Sequence, residues 1–583
     1  MRMNEALAAQ SAGDLGRARM LYGEALRMDP RQADALHMLG LLAQQSGDLP
    51  SARALMEESV AIRPTVAVVH FNLATVRDLQ GDVAGAILAY EAAVVLAPDF
   101  AEAHSNLGNL YGQSGRRDDA LRAYAAAIRA KPDFAAVYSN FAVVLIDLGR
   151  YDEAIRTLEA AVQLAPNMPE AHMNLGQAYR RSGRFREAID ATRNALELRP
   201  DYRDAYLNLA LAAFELEEFD SSIDANRRAL ELDATTPQTH YNLAMVYHLC
   251  GRYAEAIATY EAALALWPDF VEAHANLAFS LLVGGDFARG WNEYVWIWRL
   301  PAKRAQYPYL DRATLWNGEA FAGRQLLITR DQGFGDAIQM ARYFPAVKAR
   351  GGRVVLEALP ALVPLFEGLP GIDELRVVGD AAIIRDDVDL YIPITVLPRA
   401  FGTDLTSIPA PIPYLRASDE RVERWRGRME RPAHLRVGIV WAGFPGNVDD
   451  RHRSVRLEDF ATLGSVDGIA WFGLQKGRDE ERLSCGPLTI NPLGADIRDF
   501  ADTAAILTHL DLVISVDTAI VHLAGAMGKP VWTLLPFVPD WRWMTERRDS
   551  PWYPTMRLFR QPCAGDWASV FAEVTRELRA LIS

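Results

Sequence analysis

The stretch AEAHSNLGNLYGQSGRRDDALRAYAAAIRAKPDF, residues 101–134, shows the pattern that organises the first half of the chain. Proline, glycine and alanine each recur there with the same 34-residue period. The prolines stand at 30, 64, 98, 132, 166, 200 and 268, the glycines at 13, 47, 81, 115, 149, 183, 251 and 285, and the alanines at 18, 52, 86, 120, 154, 188 and 256. One unit departs from the pattern, with Glu217, Ser222 and Ala234 at the three places. A fixed period of this length indicates an array of one repeated supersecondary unit.

Each recurring residue has a physical role in a pair of packed helices. Glycine suits the tight or left-handed backbone between two helices, and proline ends the second helix. The small alanine lets the two helices pack closely. Because such a pair buries its apolar face only against its neighbours, the units stack into a superhelix. The pattern resembles the tetratricopeptide repeat, and predicts an array over residues 1–300, with a truncated unit ending at Pro30 and eight further units.

A column of asparagines runs through the array with the same period. Its members are Asn72, Asn106, Asn140, Asn174, Asn208, Asn242 and Asn276. A carboxamide is both donor and acceptor, which suits the backbone of an extended peptide. Hydrogen bonding between repeats is the alternative role. The repeats also resemble those of O-linked N-acetylglucosamine transferases, whose asparagine ladder binds the acceptor polypeptide. That resemblance implies that these asparagines bind an acceptor polypeptide.

Composition excludes several functional classes. The 583 residues include 61 Lys and Arg against 75 Asp and Glu, a net charge of −14, which argues against a nucleic-acid-binding protein. Three widely spaced cysteines, at 250, 485 and 563, indicate a reducing compartment. The first residues contain no apolar run typical of a signal peptide, and no segment approaches the roughly 18 apolar residues of a membrane span. These features predict a cytoplasmic protein.

After Gly285 the repeat pattern ends in a segment dense in aromatic residues. Trp291, Tyr294, Trp296 and Trp298 fall within eight positions of this segment. We interpret them as a seam between the array and the next domain, with a ligand platform as the alternative. Residues 301–320 are then a linker, in which Trp316-Asn317-Gly318 is a predicted turn before the first strand.

From residue 325 short β-rich runs alternate with helical segments, which is typical of parallel α/β sheets. The predicted strands are 325–329, 353–357, 374–378, 389–394, 435–441, 469–474, 511–516, 530–535 and 556–559. They form two series, which predict Rossmann-like halves at 321–430 and 431–565, followed by a helix at 566–583. Because ligands bind at the carboxyl ends of such strands, the loops after them are candidate sites.

The loop after the first of these strands is DQGFGD, residues 331–336. Gly333 and Gly335 allow a donor close to the backbone, and the start of the predicted helix favours negative charge. The following stretch, GFGDAIQMARYFPAVKARGGRVVLE, resembles the start of family 9, heptosyltransferase-type glycosyltransferases. The resemblance implies that Asp336 is the general base on the acceptor hydroxyl. A helix cap is the alternative role for this aspartate.

A second loop, residues 441–454, combines glycines with arginines. Such a combination suits a diphosphate, so Gly443 and Arg453 are candidate donor-binding residues. Arg453 also matches a basic residue that family 9 enzymes place against the donor phosphates. Lys476, at the end of another strand, is a further candidate. Solvated surface charges are the alternative for both basic residues.

The most specific motif is DLVISVDTAIVHLAGAMGKPVWTLLP, residues 511–536. It places Asp517, Thr518 and Ala519 at a helix start, with His522 one turn further. Family 9 enzymes carry a very similar string that contacts the diphosphate and sugar of the donor, which implies donor-binding roles for these four residues. The family usually has glycine where this chain has Ala519. Capping of the helix and a partly buried histidine are the alternative reading.

Together these features predict a repeat array followed by a GT-B fold, with two Rossmann-like domains facing a cleft. The whole chain resembles bacterial fusions of a repeat array with a family 9-like transferase half, which include flagellin glycosyltransferases. That resemblance implies the inverting transfer of a sugar from a nucleotide-sugar co-substrate to Ser or Thr hydroxyls of a polypeptide, flagellin or another surface protein. The acidic pairs at 386–387 and 449–450 lack the Asp-x-Asp pattern at a strand end, so we expect neither metal nor cofactor. The alternatives are an adaptor with an inactive transferase half, and a glycolipid glycosyltransferase.

Overall fold

In the computed structural model of the chain, the described residues are 2–307, 313–330, 333–377, 388–409, 411–446, 450–477 and 484–582. Parts of the predicted loops lie outside them, namely residues 331–332, 386–387 and 447–449. The chain divides into two compact units, Met1–Ala234 and Thr235–Ser583.

The first unit consists of helical hairpins, one for each 34-residue period. Its helices are α1 (Arg2–Ser11), α2 (Leu15–Met28), α3 (Ala33–Gln45), α4 (Leu49–Ile62), α5 (Ala67–Leu79), α6 (Val83–Leu96), α7 (Ala101–Gln113), α8 (Arg117–Ala130), α9 (Ala135–Asp147), α10 (Tyr151–Leu164), α11 (Pro169–Arg181), α12 (Phe185–Leu198), α13 (Arg203–Glu215) and α14 (Phe219–Leu232). Each helix packs against the next one in the chain, which gives the superhelix that the period predicts.

The recurring small residues take the conformations and positions that their roles require. The repeat glycines of this unit have φ between +73° and +80°, a region that L-residues rarely adopt. Glu217 replaces that glycine in the degenerate repeat and still has a φ of +59°. The recurring alanines are fully buried, as Ala52 and Ala86 illustrate, and so is Ser222, which replaces one of them. The degenerate repeat therefore keeps the conformation of its neighbours without their residues.

The second unit begins with two more hairpins. Its first helices are α15 (Pro237–Leu249), α16 (Tyr253–Leu266), α17 (Val271–Val283), α18 (Phe287–Tyr294) and α19 (Pro301–Gln306). The last hairpin shares one hydrophobic core with the α/β part, in which Trp291 packs edge-on against Trp541 at 5.1 Å between ring centroids. The aromatic cluster thus lies in a seam, as predicted. The compact units divide at residue 234, so the last two hairpins lie in the same unit as the α/β part.

The first sheet of this unit is parallel, with the strand order β1-β5-β2-β3-β4. Its strands are β1 (Thr314–Leu315), β2 (Gln325–Thr329), β3 (Arg353–Ala358), β4 (Glu374–Val377) and β5 (Leu390–Pro393). The helices that follow or separate them are α20 (Phe334–Met340), α21 (Phe344–Lys348), α22 (Val363–Phe366), α23 (Leu397–Ala400) and α24 (Asp419–Met429).

The second sheet has the order β12-β11-β10-β6-β7-β9-β8 and is parallel except for the antiparallel pair β8–β9. Its strands are β6 (Leu435–Val440), β7 (Ile469–Gly473), β8 (Ser484–Cys485), β9 (Leu488–Pro492), β10 (Leu512–Val516), β11 (Val531–Leu535) and β12 (Met556–Arg560). Its helices are α25 (Asp450–Arg453), α26 (Phe500–Thr508), α27 (Ala519–Ala526) and α28 (Trp567–Ile582).

The predicted strands are present, with ends that agree or differ by one residue, and three short strands in the described residues (β1, β8 and β9) were not predicted. Because β1 precedes the turn at residues 316–318, that turn follows the first strand and does not precede it. The helix predicted from Asp336 begins at Phe334, so Gly333 occupies the cap and Asp336 lies in the first turn. None of the described helices is long and apolar enough to cross a membrane.

Candidate active site

The loops that follow β2 and β10 meet within the second unit. Gly335, in the first turn of α20, lies so close to α27 that a Cβ on it would stand 2.8 Å from Cδ2 of His522 and 3.6 Å from Cα of Ala519. Only glycine allows this approach without displacing a neighbour. The contact brings Asp336 from the first sheet and the 517–522 segment from the second sheet to one place. The sequence motifs that were 180 residues apart therefore form one candidate site.

Asp336 is paired with an arginine that the sequence motifs did not identify. Its Oδ1 accepts a hydrogen bond from Nη2 of Arg542, and its side chain remains 23% exposed. The same guanidinium donates from Nη1 to both carboxylate oxygens of Asp540, at 2.8 and 2.9 Å, and from Nε to Oε1 of Gln339, at 2.6 Å. Burial opposes the charge of Arg542, but the two carboxylates outweigh it and raise its pKa. The guanidinium therefore joins Asp336 of the first sheet to Asp540 and Gln339.

Asp517 lies at the end of β10 and accepts a hydrogen bond from the indole Nε1 of Trp543 at 2.8 Å. Burial raises the pKa of the Asp517 carboxyl to about 6, and the nearby charge of Asp540 acts in the same direction. The Trp543 hydrogen bond and the charges of Arg453 and Arg542 oppose that rise. Asp517 therefore titrates near neutral pH.

His522 is a buried neutral imidazole. Burial lowers its pKa well below the ordinary value, and the charges of Arg542 and Arg342 lower it further. Its Nδ1 shares a hydrogen bond of 3.0 Å with the hydroxyl of Tyr553, and its ring stacks on Trp543 at 5.2 Å. The histidine is thus held on two sides inside the site.

Helix α27 begins at Ala519, and Thr518 is its cap residue. The Thr518 side chain makes no capping hydrogen bond, and its Oγ1 lies 3.2 Å from Oγ of Ser515. Capping by the Asp517 and Thr518 side chains does not explain the motif, since Asp517 bonds to Trp543. The first N–H groups of α27 form the end of a helix that favours an anion.

Arg453 lies over the glycine-rich loop after β6. A Cβ on Gly443 would stand 2.7 Å from its Nη2, so a larger residue there would displace the guanidinium. Its Nε lies 3.4 Å from Oδ1 of Asp450, and its charge acts on Asp517. Lys476, in contrast, donates from Nζ to the backbone carbonyls of Ile497 at 2.5 Å and Gly494 at 3.5 Å. Arg453 therefore belongs to the site, whereas Lys476 stabilises a neighbouring turn.

Most of the asparagines donate their side-chain N–H to a group of the array. In the first unit the acceptors are Nε2 of His37 for Asn72, the hydroxyl of Tyr90 for Asn106, Oδ1 of Asn109 for Asn140, Oγ of Ser139 for Asn174 and Oγ1 of Thr192 for Asn208. In the second unit Asn276 donates to the hydroxyl of Tyr241, and Oδ1 of Asn242 accepts from Gln238. Hydrogen bonding between helices, the alternative role, is therefore present.

The asparagines differ in burial and in which side-chain atoms remain available to a ligand. Asn174 and Asn208 are buried, and Oδ1 of Asn208 also accepts from Nε of Arg180 at 2.8 Å. Asn72, Asn106 and Asn140 are half-buried, and each uses the N–H side of its amide in the hydrogen bond given above. Within the first unit, the carbonyl oxygens of these three are the ones best suited to accept from a peptide N–H. Asn276 of the second unit is also half-buried and donates in the same way.

Comparisons with known proteins match repeat families to the N-terminal region and a glycosyltransferase family to a segment of the α/β region. Models of the tetratricopeptide repeat match residues 3–67, 105–169, 173–237 and 237–270, and a TPR repeat model matches 79–115. The N-terminal region is thus an array of tetratricopeptide repeats. A model of glycosyltransferase family 9 (heptosyltransferase) matches residues 498–538, which contain Asp517, Thr518, Ala519 and His522.

Similar individual proteins cover only parts of the chain. Protein FlbA of Caulobacter vibrioides is 28% identical over 324 residues, which are 51% of this chain and 53% of that protein. The chain thus spans about half the length of this curated relative. The similar solved structures include the APC/C hetero-tetramer Cut9–Hcn1, at 21% identity and a TM-score of 0.35 over 48% of this chain and 55% of that one. They also include MamA, at 26% identity and a TM-score of 0.27 over 27% of this chain and 93% of that one.

Proposed function

We propose that this protein is a glycosyltransferase that moves a sugar from a nucleotide-sugar donor to Ser or Thr hydroxyls of a polypeptide bound by the repeats. The observation that carries the proposal is the meeting of Asp336 with the 517–522 segment, which lies inside the region that matches family 9. In this proposal the two sheets are the two halves of a GT-B fold, with the acceptor on the side of the first sheet and the donor on the side of the second.

Asp336 acts as the general base in the proposed reaction. Its ion pair with Arg542 orients the carboxylate, and its partial exposure leaves it within reach of an acceptor hydroxyl. As Asp336 takes the hydroxyl proton, the oxygen forms a bond to the anomeric carbon. The bond from that carbon to the donor phosphate breaks, and the nucleotide leaves with the electron pair. Attack from the side opposite the leaving phosphate inverts the anomeric configuration.

The leaving phosphate is stabilised by groups of the second sheet. The N–H groups of residues 518–520 at the start of α27 and the guanidinium of Arg453 face developing negative charge. Gly333 and Gly335 after β2 and Gly443 after β6 allow a donor close to the backbone of these two loops. The proposal needs no metal, because these groups supply the positive potential.

The asparagines of the array are the basis for proposing a polypeptide acceptor. Repeated carboxamides of Asn72, Asn106 and Asn140 would bind polypeptide backbone, so the choice of acceptor rests on the residues around them. The resemblance to bacterial fusions of repeats with a family 9-like half makes flagellin the first acceptor to test.

The intact mass of flagellin, with and without this protein and a panel of nucleotide sugars, tests the proposal. We expect an added mass equal to one or more sugars, located on Ser or Thr.

Asp336→Asn should reduce transfer by about 100-fold or more, because the base is lost while the shape of the side chain is kept. The control is Asp419→Asn, an exposed carboxylate on α24. Transfer by Asp336→Asn at the rate of the control would exclude Asp336 as the base, and transfer to a glycolipid but to no polypeptide would favour the glycolipid alternative.

A further inference from the structure

The segment Asp540–Met544, here called the 540–544 turn, contacts both halves of the candidate site. Arg542 binds Asp336 of the first sheet, whereas the next residue, Trp543, binds Asp517 and stacks on His522 of the second sheet. Two adjacent side chains therefore hold three proposed site residues.

The 540–544 turn is fixed from behind by the last repeat. Helix α17 packs against residues 541–543, and Trp541 packs on Trp291 of α18. The side chain of Met544 reaches Gly285, where an added Cβ would stand 3.0 Å from its Cε. The guanidinium of Arg560 donates to the carbonyl of Trp543. The turn is thus clamped between a tetratricopeptide hairpin and the second sheet.

Met544 shows that this clamp imposes a strained backbone. Its φ of +54° and ψ of −163° lie in a region that is almost restricted to glycine. Such a conformation persists only where the surrounding contacts determine it, and it is found preferentially at functional sites. The contacts of Trp541, Trp543 and Met544 supply that determination.

We infer that Arg542 and Trp543 are positioning residues, through which the 540–544 turn fixes Asp336 on one side and Asp517 and His522 on the other. The consequence of this inference for catalysis rests on the proposed function, but the hydrogen bond between Trp543 and Asp517 can be tested without a substrate. The charged groups that act on Asp517 are Asp540 and Arg542 of the turn and Arg453 of α25. The titratable His522 of α27 stacks on Trp543, the hydrogen-bond partner of Asp517.

The test removes the indole N–H while keeping an aromatic ring. Trp543→Phe cannot donate to Asp517, so the ionised carboxylate loses its hydrogen bond and the pKa of Asp517 rises further. In both proteins the unfolding free energy should decline as the pH rises through the pKa of Asp517 and then level off. In Trp543→Phe this decline should end at a pH about half a unit or more higher than in the unchanged protein. The variants Asp517→Asn and Trp543→Phe/Asp517→Asn should share one pH dependence that lacks this decline.

The matched control is Trp425→Phe, because the buried Nε1 of Trp425 has no hydrogen-bond partner among the described residues. It should leave the pH dependence unchanged. An unshifted decline in Trp543→Phe, or a shift that persists in the Asp517→Asn background, overturns the inference. All 13 tryptophans lie in the second unit, so tryptophan fluorescence follows this unit alone.

A second measurement needs no Trp543 variant and holds if that variant does not fold. In protein labelled with ¹⁵N at tryptophan, one indole N–H resonance should titrate with a midpoint near pH 6 and lose this titration in Asp517→Asn. The absence of such a resonance, or its persistence in Asp517→Asn, contradicts the hydrogen bond. If the unchanged protein transfers no sugar, the proposed function fails while these readouts still decide the inference. If it does transfer, the limb of the pH–rate profile that reports Asp517 must move to higher pH in Trp543→Phe.

Discussion

At the scale of single residues, Asp517 shows a conflict between stability and function. Its carboxyl has a pKa of about 6 in the folded protein against 3.8 for the ordinary side chain. The folded state therefore binds more protons than the unfolded state between these values, and stability falls as the pH rises from 3.8 to about 6. Above that range the ionised carboxylate destabilises the fold by on the order of 2–3 kcal/mol. A cost of this kind is typical of a functional group.

Asp517→Asn removes that cost and keeps an oxygen that accepts from Trp543. We expect the variant to be more stable than the unchanged protein at pH 8, and the difference to grow by about 1 kcal/mol from pH 5 to pH 8. Denaturant unfolding followed by tryptophan fluorescence measures the difference in the second unit. A difference that is the same at both values of pH would show that Asp517 does not titrate in this range. Donor binding should weaken in the same variant.

Glu217 gives a second prediction at the residue scale. It holds a left-handed conformation, with a φ of +59°, at the place where other repeats have glycine. Such a conformation destabilises an L-residue by about 1 kcal/mol. Glu217→Gly should therefore stabilise the first unit by about 1 kcal/mol, measured by helical circular dichroism during denaturant unfolding. Glu217→Ala is the control, since it removes the side chain but keeps the strain. Equal stabilisation by both variants would point to the glutamate side chain and not to the backbone.

The sequence identified Asp336, Asp517 and His522 because each lies in a local string that follows a predicted strand. Arg542 and Trp543 were missed because their partners are distant in the chain, with 206 residues between Arg542 and Asp336. A pattern within one segment cannot show such a pair. The unusual WRW string at 541–543 was the available signal, and only the structure shows what its side chains contact.

At the scale of elements, the long periodic or apolar segments were predictable and the short ones were not. The 34-residue period identified the helices of the repeats, and buried runs such as LVISV identified strands like β10. β1 and β8 have two residues each, so neither alternation nor β propensity can reveal them. Helix α20 was predicted to start two residues late, because Gly333 and not Asp336 occupies the cap.

The asparagine ladder can be tested as a property of its helices. The triple variant Asn72→Ala, Asn106→Ala, Asn140→Ala should weaken capture of the acceptor polypeptide by about 10-fold or more, because each lost hydrogen bond contributes about 1 kcal/mol. Donor hydrolysis should not change. Tyr90→Phe is a matched control, since it removes the partner of Asn106 but keeps the carboxamide. If Tyr90→Phe and Asn106→Ala weaken capture equally, the ladder is structural and does not bind the acceptor.

The role of the 540–544 turn can be tested at the guanidinium of Arg542. Arg542→Lys keeps the positive charge but loses the fork that binds Asp336, Asp540 and Gln339 together. We expect kcat to fall by about 10- to 100-fold with little change in the KM of the donor, because the base is displaced while the donor site remains. A loss confined to the KM of the donor would place Arg542 on the donor and not on Asp336.

At the scale of the whole molecule, the boundary between the repeats and the α/β part differs from the boundary at residue 234 between the two compact units. Repeat periodicity reports where hairpins are, and it ends near residue 300. Stability depends on which surfaces share a core, and that core joins Phe287 and Trp291 of the last hairpin to Trp541 and Trp552. Only the packing of side chains from both regions reveals this, so the sequence could not show it.

Truncation distinguishes the two boundaries. Residues 235–583 keep the shared core intact, and we expect them to unfold cooperatively with native-like tryptophan fluorescence. Residues 301–583 lack α17 and α18, which exposes Trp541 and Trp552 and frees the 540–544 turn from its support. Burial of each such aromatic side chain contributes about 2–3 kcal/mol, so this fragment should aggregate or lose cooperative unfolding. Residues 1–234 serve as the control for truncation itself and should remain helical. Residues 301–583 could instead fold as cooperatively as residues 235–583. The last hairpin would then not be a component of the α/β core, and the support that it gives to Arg542 and Trp543 would be dispensable.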